Sequence, residues 1–309
     1  MGSARQALAE VLPRGRTLHA TAVRQHVQAT AQQLEDELGP EQAMFIDGCQ
    51  RDWDELPRPD LPLTVGLDGG YVHARDQRSR REGWFEVIAG KSVPSEGAAK
   101  CFAFVQTYDA KPKRRLFELL RSQGMQPNQQ ISFLTDGGED VRELPLYLNP
   151  QAEHLLDWFH LTMRLTVMGQ MAKGLGGGDL TTEVTRQLER LKWFLWHGNV
   201  FRALQVIEDL EEDLDLEGEI GPERRKLRKA IAEFGGYLRA NAAWIPNYGE
   251  RQRSGETISS AFTESTINQV VSKRMVKRQQ MRWTPRGAHQ LLQVRTRVLN
   301  DELADVFRR

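Results

Sequence analysis

Apolar positions in this chain change period as it proceeds. Ala7, Leu8, Val11 and Leu12 recur at helical spacing and stop at Pro13, and Thr21 to Leu38 holds a second helical pattern ended by Gly39. Pro57, Pro59 and Pro62 mark a linker. Beyond it, Leu63-Thr-Val-Gly-Leu67, Trp84-Phe-Glu-Val-Ile88, Cys101-Phe-Ala-Phe-Val105 and Ile131-Ser-Phe-Leu134 are short apolar runs of strand type, and Glu153 to His160 reads as a fifth. Arg114 to Ser122, closed by Gly124, predicts a helix between the third and fourth strands, with a further helix expected before the fifth. Three consecutive strands imply an antiparallel meander, and strands separated by helices imply parallel crossovers. The expected fold class is therefore α/β, with a mixed five-stranded sheet.

The remainder is helical in pattern. Gly174-Leu-Gly-Gly-Gly178 breaks a first helix, Thr182 to Trp196 sets Val184, Leu188, Leu191, Phe194 and Leu195 on one face, and Glu223 to Trp244 forms another long stretch. Trp193 and Trp196 flank that apolar face and are expected in the core. Helical spacing returns in residues 256–309, with a loop at Trp283-Thr-Pro-Arg-Gly287. The chain thus divides into a helical N-terminal region (1–60), a sheet region (61–160), an all-helical region (161–255) and a closing segment (256–309). Thr17 to His26 is read first as a packing helix, with the second helix of a small DNA-binding unit as the alternative.

Composition narrows the class. Of 309 residues, 39% are hydrophobic and 27% charged, as in ordinary folded proteins. No run approaches the roughly 18 apolar residues of a membrane span, and the opening MGSARQALAE has no apolar signal region. Cys49 and Cys101 are too few for a disulfide framework or a cysteine zinc site, so a reducing, cytoplasmic setting is expected. The formal net charge is zero, but the charge is segregated. Eight of the twelve residues from Glu208 to Glu219 are acidic, which reads as a solvated helix end. Ser265 to Asn300 holds eight Lys or Arg and no acid, a basic stripe of the kind that faces phosphates. Within it Lys273, Arg274, Lys277 and Arg278 share one face of an α-helix. Arg282, Trp283 and Arg286 follow, with stacking on a nucleotide or packing in the core both open for Trp283.

Two strands end alike, in Leu67-Asp68-Gly69-Gly70 and Thr135-Asp136-Gly137-Gly138. Carboxylates at strand ends lie where open α/β sheets collect ligands. If the strands are neighbours, Asp68 and Asp136 converge and repel unless a cation separates them, and hard oxygen donors select Mg²⁺ or Mn²⁺. Turn formation is the competing explanation for each motif. Glu264, opening the basic stripe, is the best third ligand, although an acid there also suits a helix N-terminus; Glu256 is its rival. His73 is read as structural.

The strand order, Asp68, Asp136 and Glu264 resemble the RNase H-like catalytic core of DDE transposases. The segment Phe262-Thr-Glu-Ser-Thr-Ile-Asn-Gln-Val-Val-Ser-Lys-Arg-Met-Val-Lys-Arg-Gln-Gln-Met-Arg-Trp-Thr-Pro-Arg-Gly-Ala-His289 resembles the closing part of bacterial insertion-sequence transposases related to Mutator-like elements, and Asp157-Trp-Phe-His160 resembles that family's Asp/Cys-x-x-His motif. The likeness covers about residues 61–309. It implies an RNase H-like core from 61–160 and 256–309, with 161–255 inserted as helices. It also implies Asp68, Asp136 and Glu264 as catalytic ligands of two Mg²⁺ (or Mn²⁺) ions, and Asp157 and His160 as accessory residues. The implied activity is DNA strand cleavage and strand transfer, by a homo-oligomer on DNA at the nucleoid. A nuclease without strand transfer and a non-catalytic DNA-binding remnant are the alternatives. The 60 residues before the sheet, with Cys49 alone and no zinc motif, suggest a shortened DNA-reading region.

Overall fold

A computed structural model of the chain describes residues 19–45, 47–57, 63–75, 83–138, 148, 152–215, 221–276 and 282–308. Five strands form one sheet: β1 (Leu63–His73), β2 (Trp84–Val93), β3 (Lys100–Val105), β4 (Ile131–Thr135) and β5 (Ala152–Leu156), in the order β3-β2-β1-β4-β5. β1, β2 and β3 pair antiparallel, whereas β4 pairs parallel with both β1 and β5. This open mixed sheet of five strands, flanked by helices, is the α/β architecture that the sequence predicts.

Alternation along the strands sends side chains to two apolar layers. Leu63, Val65, Leu67, Ile88, Phe102, Phe104, Ile131 and Phe133 form one layer with Leu116, Phe117 and Leu120 of helix α3 (Pro112–Arg121). Val72, Phe85, Val87, Ala89, Ala103 and Val105 form the other with the closing segment. That segment comprises α9 (Ala261–Ile267), a π-helix (Asn268–Val276) and α10 (Pro285–Leu299). Val270, Val271 and Met275 of the π-helix, with Ala288 and Leu292 of α10, supply its apolar face. Among the described residues two helices precede the sheet, α1 (Ala20–Glu37) and α2 (Gln50–Asp54). α1 packs on α10 through its later half, burying Ala31 and Leu34, whereas His19 to His26 at its start are exposed or half-buried. The N-terminal pattern around Ala7 lies outside the described residues.

A third core is all helical. It unites α4 (Trp158–Lys173), α5 (Asp179–Trp196), α6 (Val200–Asp215), α7 (Pro222–Ala240) and α8 (Tyr248–Arg253). The apolar face read from Thr182 to Trp196 is present, with Val184, Leu188, Leu191 and Leu195 buried. Trp193 is not in it: the residue is 59% exposed, because it projects from the side of α5 away from Leu191 and Leu195. The acidic run lies partly on α6, where Glu208 pairs with Arg239 at 3.3 Å and Asp215 with Arg228 at 2.7 Å. No helix among the described residues is long and apolar enough to cross a membrane.

The fifth strand is shorter than its apolar content suggests. It stops at Leu156 because the Asp157 side chain accepts from the Phe159 amide at 3.0 Å and caps α4. Trp158 to His160 are therefore the first turn of a helix. The helix expected between β4 and β5 falls in residues outside the description. The expected Glu223–Trp244 helix ends at Ala240 and continues after Asn241 as a short 3₁₀ turn, Ala242–Trp244.

One buried ion cluster fastens α1 to the sheet. Arg115 of α3 donates to Glu35 of α1 at 2.9 Å and to Asp109 at 2.9 Å, and His289 of α10 lies 3.2 Å from Glu35. Burial pushes the Glu35 carboxyl up, but the His289 hydrogen bond and the Arg115 guanidinium outweigh it and hold the acid at about 2. A depressed acid stabilises the fold above its ordinary value near 4.5, and that stability is lost as pH falls through about 2. Glu35→Gln should therefore cost roughly 1–2 kcal/mol at pH 7, after allowance for partial exposure. Urea unfolding at pH 7 and pH 3 should show the gap between wild type and variant narrowing at the lower pH; a constant gap would contradict the assignment.

Candidate active site

β1 does not end at Asp68 as the apolar run suggests but continues to His73, so parallel pairing brings the end of β4 level with the middle of β1. Gly66 lies opposite Leu134, and Thr135 opposite Leu156. Carried two residues on, the β1–β4 register sets Asp68 beside Asp136; carried one residue on, the β4–β5 register sets Asp136 beside Asp157. Thr64, Gly66 and Asp68 share one face of β1, the face on which α9 lies. A β-carbon on Gly66 would run into Thr263 Oγ1 and the Phe262 ring. Glycine there is what lets α9, carrying Glu264, settle against the strand. The sequence-predicted acids thus arrive from three elements on one side of the sheet.

Their electrostatics bind them into a site. The Asp68 carboxyl is pushed up to about 6. Burial is the largest cause, His160 and the Gly69 amide pull the other way, and the charges of Asp136 and Glu264 raise it again. Asp68 Oδ1 accepts from the Gly69 amide at 2.8 Å. The Asp136 turn has its own supports. Asp136 Oδ1 accepts from Gly138 N at 3.0 Å, Gly137 takes a φ of +85° suited to glycine, and the Tyr237 hydroxyl donates to the Asp136 carbonyl at 2.7 Å. Turn chemistry and carboxylate convergence, set against each other in the sequence, coexist here.

The accessory pair divides its work. Asp157 is wholly buried, and beyond capping α4 it accepts from the Ser260 amide at 2.9 Å and from the Ser260 hydroxyl. Ser260 is the residue before α9, so Asp157 fixes the entry of the helix that bears Glu264. Its carboxylate is consumed by these bonds, which makes it a positioning residue. His160 lies one turn along α4, with Nε2 3.6 Å from Asp157 Oδ2 and no hydrogen-bond partner among the described residues. It is the residue whose charge pulls Asp68 down most. His73 stacks on Trp84 with ring centroids 3.4 Å apart, in keeping with a structural role. Glu256 pairs with Arg251 at 2.7 Å.

The basic stripe differs from its α-helical reading. Asn268 to Val276 is wound as a π-helix, so the expected i, i+4 face of Lys273, Arg274, Lys277 and Arg278 does not apply as drawn. Lys273 is exposed; the Arg274 side chain and the whole of Lys277 and Arg278 lie outside the description. Arg282 and Arg286 are exposed, and Trp283 is half-buried against the apolar layer, bridged to Ala74. Arg297 is committed to Glu302 at 2.6 Å, and Arg295 to the Gln269 carbonyl. Ser260, Thr263 and Tyr237 escaped sequence reasoning, as did Asn241, whose side chain lies against Gly137 and donates to the Tyr237 carbonyl at 2.9 Å. Tyr237 lies 101 residues from Asp136, and nothing local marks it.

The donors fit divalent cations in kind: carboxylate oxygens, with mutual repulsion that a cation would relieve. Among the described residues, the trio of acid and histidine ligand atoms all within 4.8 Å of one another is Glu35, Asp109 and His289. There the Arg115 guanidinium already bridges both acids. Asp68, Asp136 and Glu264 are more widely set.

No family model and no curated protein matches the chain. Among solved structures, the Drosophila P element transposase strand transfer complex is similar over 97% of this chain and 99% of its own, at 9% identity and a TM-score of 0.37. A crystal structure of NurA is similar over 82% and 74%, at 14% identity and a TM-score of 0.15. At these TM-scores neither likeness bears on what the chain does.

The Gly66 contact generates a test. Gly66→Ala should cost about 1–3 kcal/mol by overpacking. Thr263→Ala removes the oxygen that the new methyl meets, so the double variant should recover a substantial part of the loss in urea unfolding. Simple additivity of the two changes would show that α9 does not depend on this approach.

Proposed function

We propose that the chain is a DDE-type transposase, related to the insertion-sequence enzymes of the Mutator-like group, that cuts and joins DNA strands. What supports this reading is the parallel register that sets Asp68 beside Asp136, together with the seating on β1, at Gly66, of the helix α9 that bears Glu264. The catalytic core is 61–160 with 256–309, and 161–255 is a helical insertion. Bound divalent ions, two Mg²⁺ or Mn²⁺, would activate a water or 3′-hydroxyl and stabilise the leaving 3′-oxygen. Asp68, Asp136 and Glu264 would hold them. His160, whose Nε2 has no hydrogen-bond partner among the described residues and whose charge acts on Asp68, would orient a ligand carboxylate or a phosphate. Asp157 keeps α9 seated. Lys273, Arg282 and Arg286 offer exposed cations to the DNA backbone, joined in the sequence by Arg274, Lys277 and Arg278. The active form is a homo-oligomer assembled on DNA ends.

Purified protein incubated with labelled DNA from either side of its own coding sequence, plus Mg²⁺ or Mn²⁺, should give nicked and strand-transferred products. Asp68→Asn, Asp136→Asn and Glu264→Gln should each lower both by about 100-fold or more while DNA binding persists. Cleavage without joining would reassign the chain as a nuclease. Binding without metal-dependent cleavage would make it a DNA-binding remnant, and cleavage indifferent to these substitutions would place the chemistry elsewhere.

Binding should also depend on salt. If each of three cations neutralises one phosphate, the combined Lys273→Ala, Arg282→Ala and Arg286→Ala variant should flatten the plot of log affinity against log salt by about 2.7. An unchanged slope would remove this face from the DNA path.

A further inference from the structure

The C-terminal stripe is not the only source of cations beside the acids. Arg164 lies one turn beyond His160 on α4, and residues four apart on a helix project from the same face. Its guanidinium sits over the Tyr237 ring, 4.2 Å from the centroid, and the Tyr237 hydroxyl holds the Asp136 carbonyl at 2.7 Å. A fixed positive charge is thereby coupled, through one aromatic side chain, to the backbone of a site carboxylate.

The geometry of the stack decides what that charge can do. A guanidinium lying on a ring uses its flat face and leaves its N–H edge free. Arg164 is exposed, and among the described residues it forms no ion pair. Arg115 and Arg251, by contrast, spend their forks on two carboxylates each. A planar fork of free donors, restrained in orientation, matches the two oxygens of a phosphate. The need for such a group is electrostatic: the acids of β1, the end of β4 and α9 repel a polyanion, and a rim cation offsets that repulsion where the backbone must pass.

We infer that Arg164 binds a backbone phosphate of the DNA strand that passes Asp136, with Tyr237 as the platform that orients it. This rests on the transposase reading and adds a contact from the α4 side of the site. The alternative is that Arg164 only props Tyr237.

The test uses the full-length protein in the cleavage-deficient Asp68→Asn background for binding and the wild-type background for turnover. Arg164→Gln should weaken binding of a duplex oligonucleotide, flatten its salt dependence by about 0.9 and raise KM for DNA more than it lowers kcat, while thermal unfolding stays close to wild type. Arg164→Lys keeps the charge but not the fork, so it should restore the salt slope while recovering only part of the affinity. Tyr237→Phe keeps the ring and removes the hydroxyl, so it should lower kcat through Asp136 and leave the salt slope intact. If Arg164→Gln leaves slope and KM unchanged and lowers kcat alone, the residue is a prop and the inference falls, with the transposase reading untouched. If wild-type protein neither binds nor cuts DNA, both fall together.

Discussion

Parallel pairing of β4 with β1 on one side and β5 on the other is the constraint from which the candidate site follows. In a parallel ladder, residues at equal distances past paired positions stay level. Asp136 and Asp157, each just beyond its strand, and Asp68, within the longer β1, therefore come level along the sheet. An antiparallel placement of β4 would have sent Asp136 to the opposite end. The fourth acid, Glu264, cannot be delivered by a strand. It comes from α9, which approaches only because Gly66 offers no β-carbon and Ser260 is tied to Asp157.

The same arrangement explains how two similar aspartates acquire different duties. Asp157 is surrounded by donors that satisfy its charge, so burying it completely is tolerable. Asp68 is disfavoured in its charged form chiefly by burial, with two other acids adding to it against the pull of His160 and one backbone hydrogen bond. A carboxylate whose bonds are all spent locally can hold a helix in place. One whose charge remains uncompensated is available to a cation. The helical core enters this balance through Tyr237 and Tyr248, whose hydroxyls grip the carbonyls of Asp136 and Leu156, each at 2.7 Å. The ends of β4 and β5 are thus braced by residues far away in sequence.

Much of the sheet was legible because apolar runs of strand length, bounded by glycine, proline and aspartate, leave few other structures open to them. The repeated Asp-Gly-Gly pattern exposed two of the acids for the same reason. The end of β5 was misread because Trp158 and Phe159 look like strand residues, whereas the deciding feature is the cap that Asp157 makes. Trp193 was placed inside because aromaticity was weighed above its position on the helix, which turns it outward. The winding of Asn268 to Val276 as a π-helix left no mark in a pattern read at α-helical period. Tyr237, Asn241 and Arg164 carry no local signature, since their meaning arises only when α4 and α7 fold back onto the strand ends.

Two groups of acids in this protein show why proximity alone does not identify a metal site. Glu35, Asp109 and His289 are the tighter set, and by spacing they invite a cation. Arg115 already provides one, reaching both carboxylates, and Glu35 is held far down as a result. That cluster is electrostatically complete, and its effect is to lock α1 against α3 and α10. At the strand ends the acids are looser, no guanidinium lies between them among the described ion pairs, and Asp68 is driven up toward neutrality. An acid lowered by its neighbours has found its counter-charge within the fold; Asp68, raised chiefly by burial and further by two acids, has not. That difference in sign makes the wider set the better candidate for divalent ions and for the phosphate chemistry such ions support.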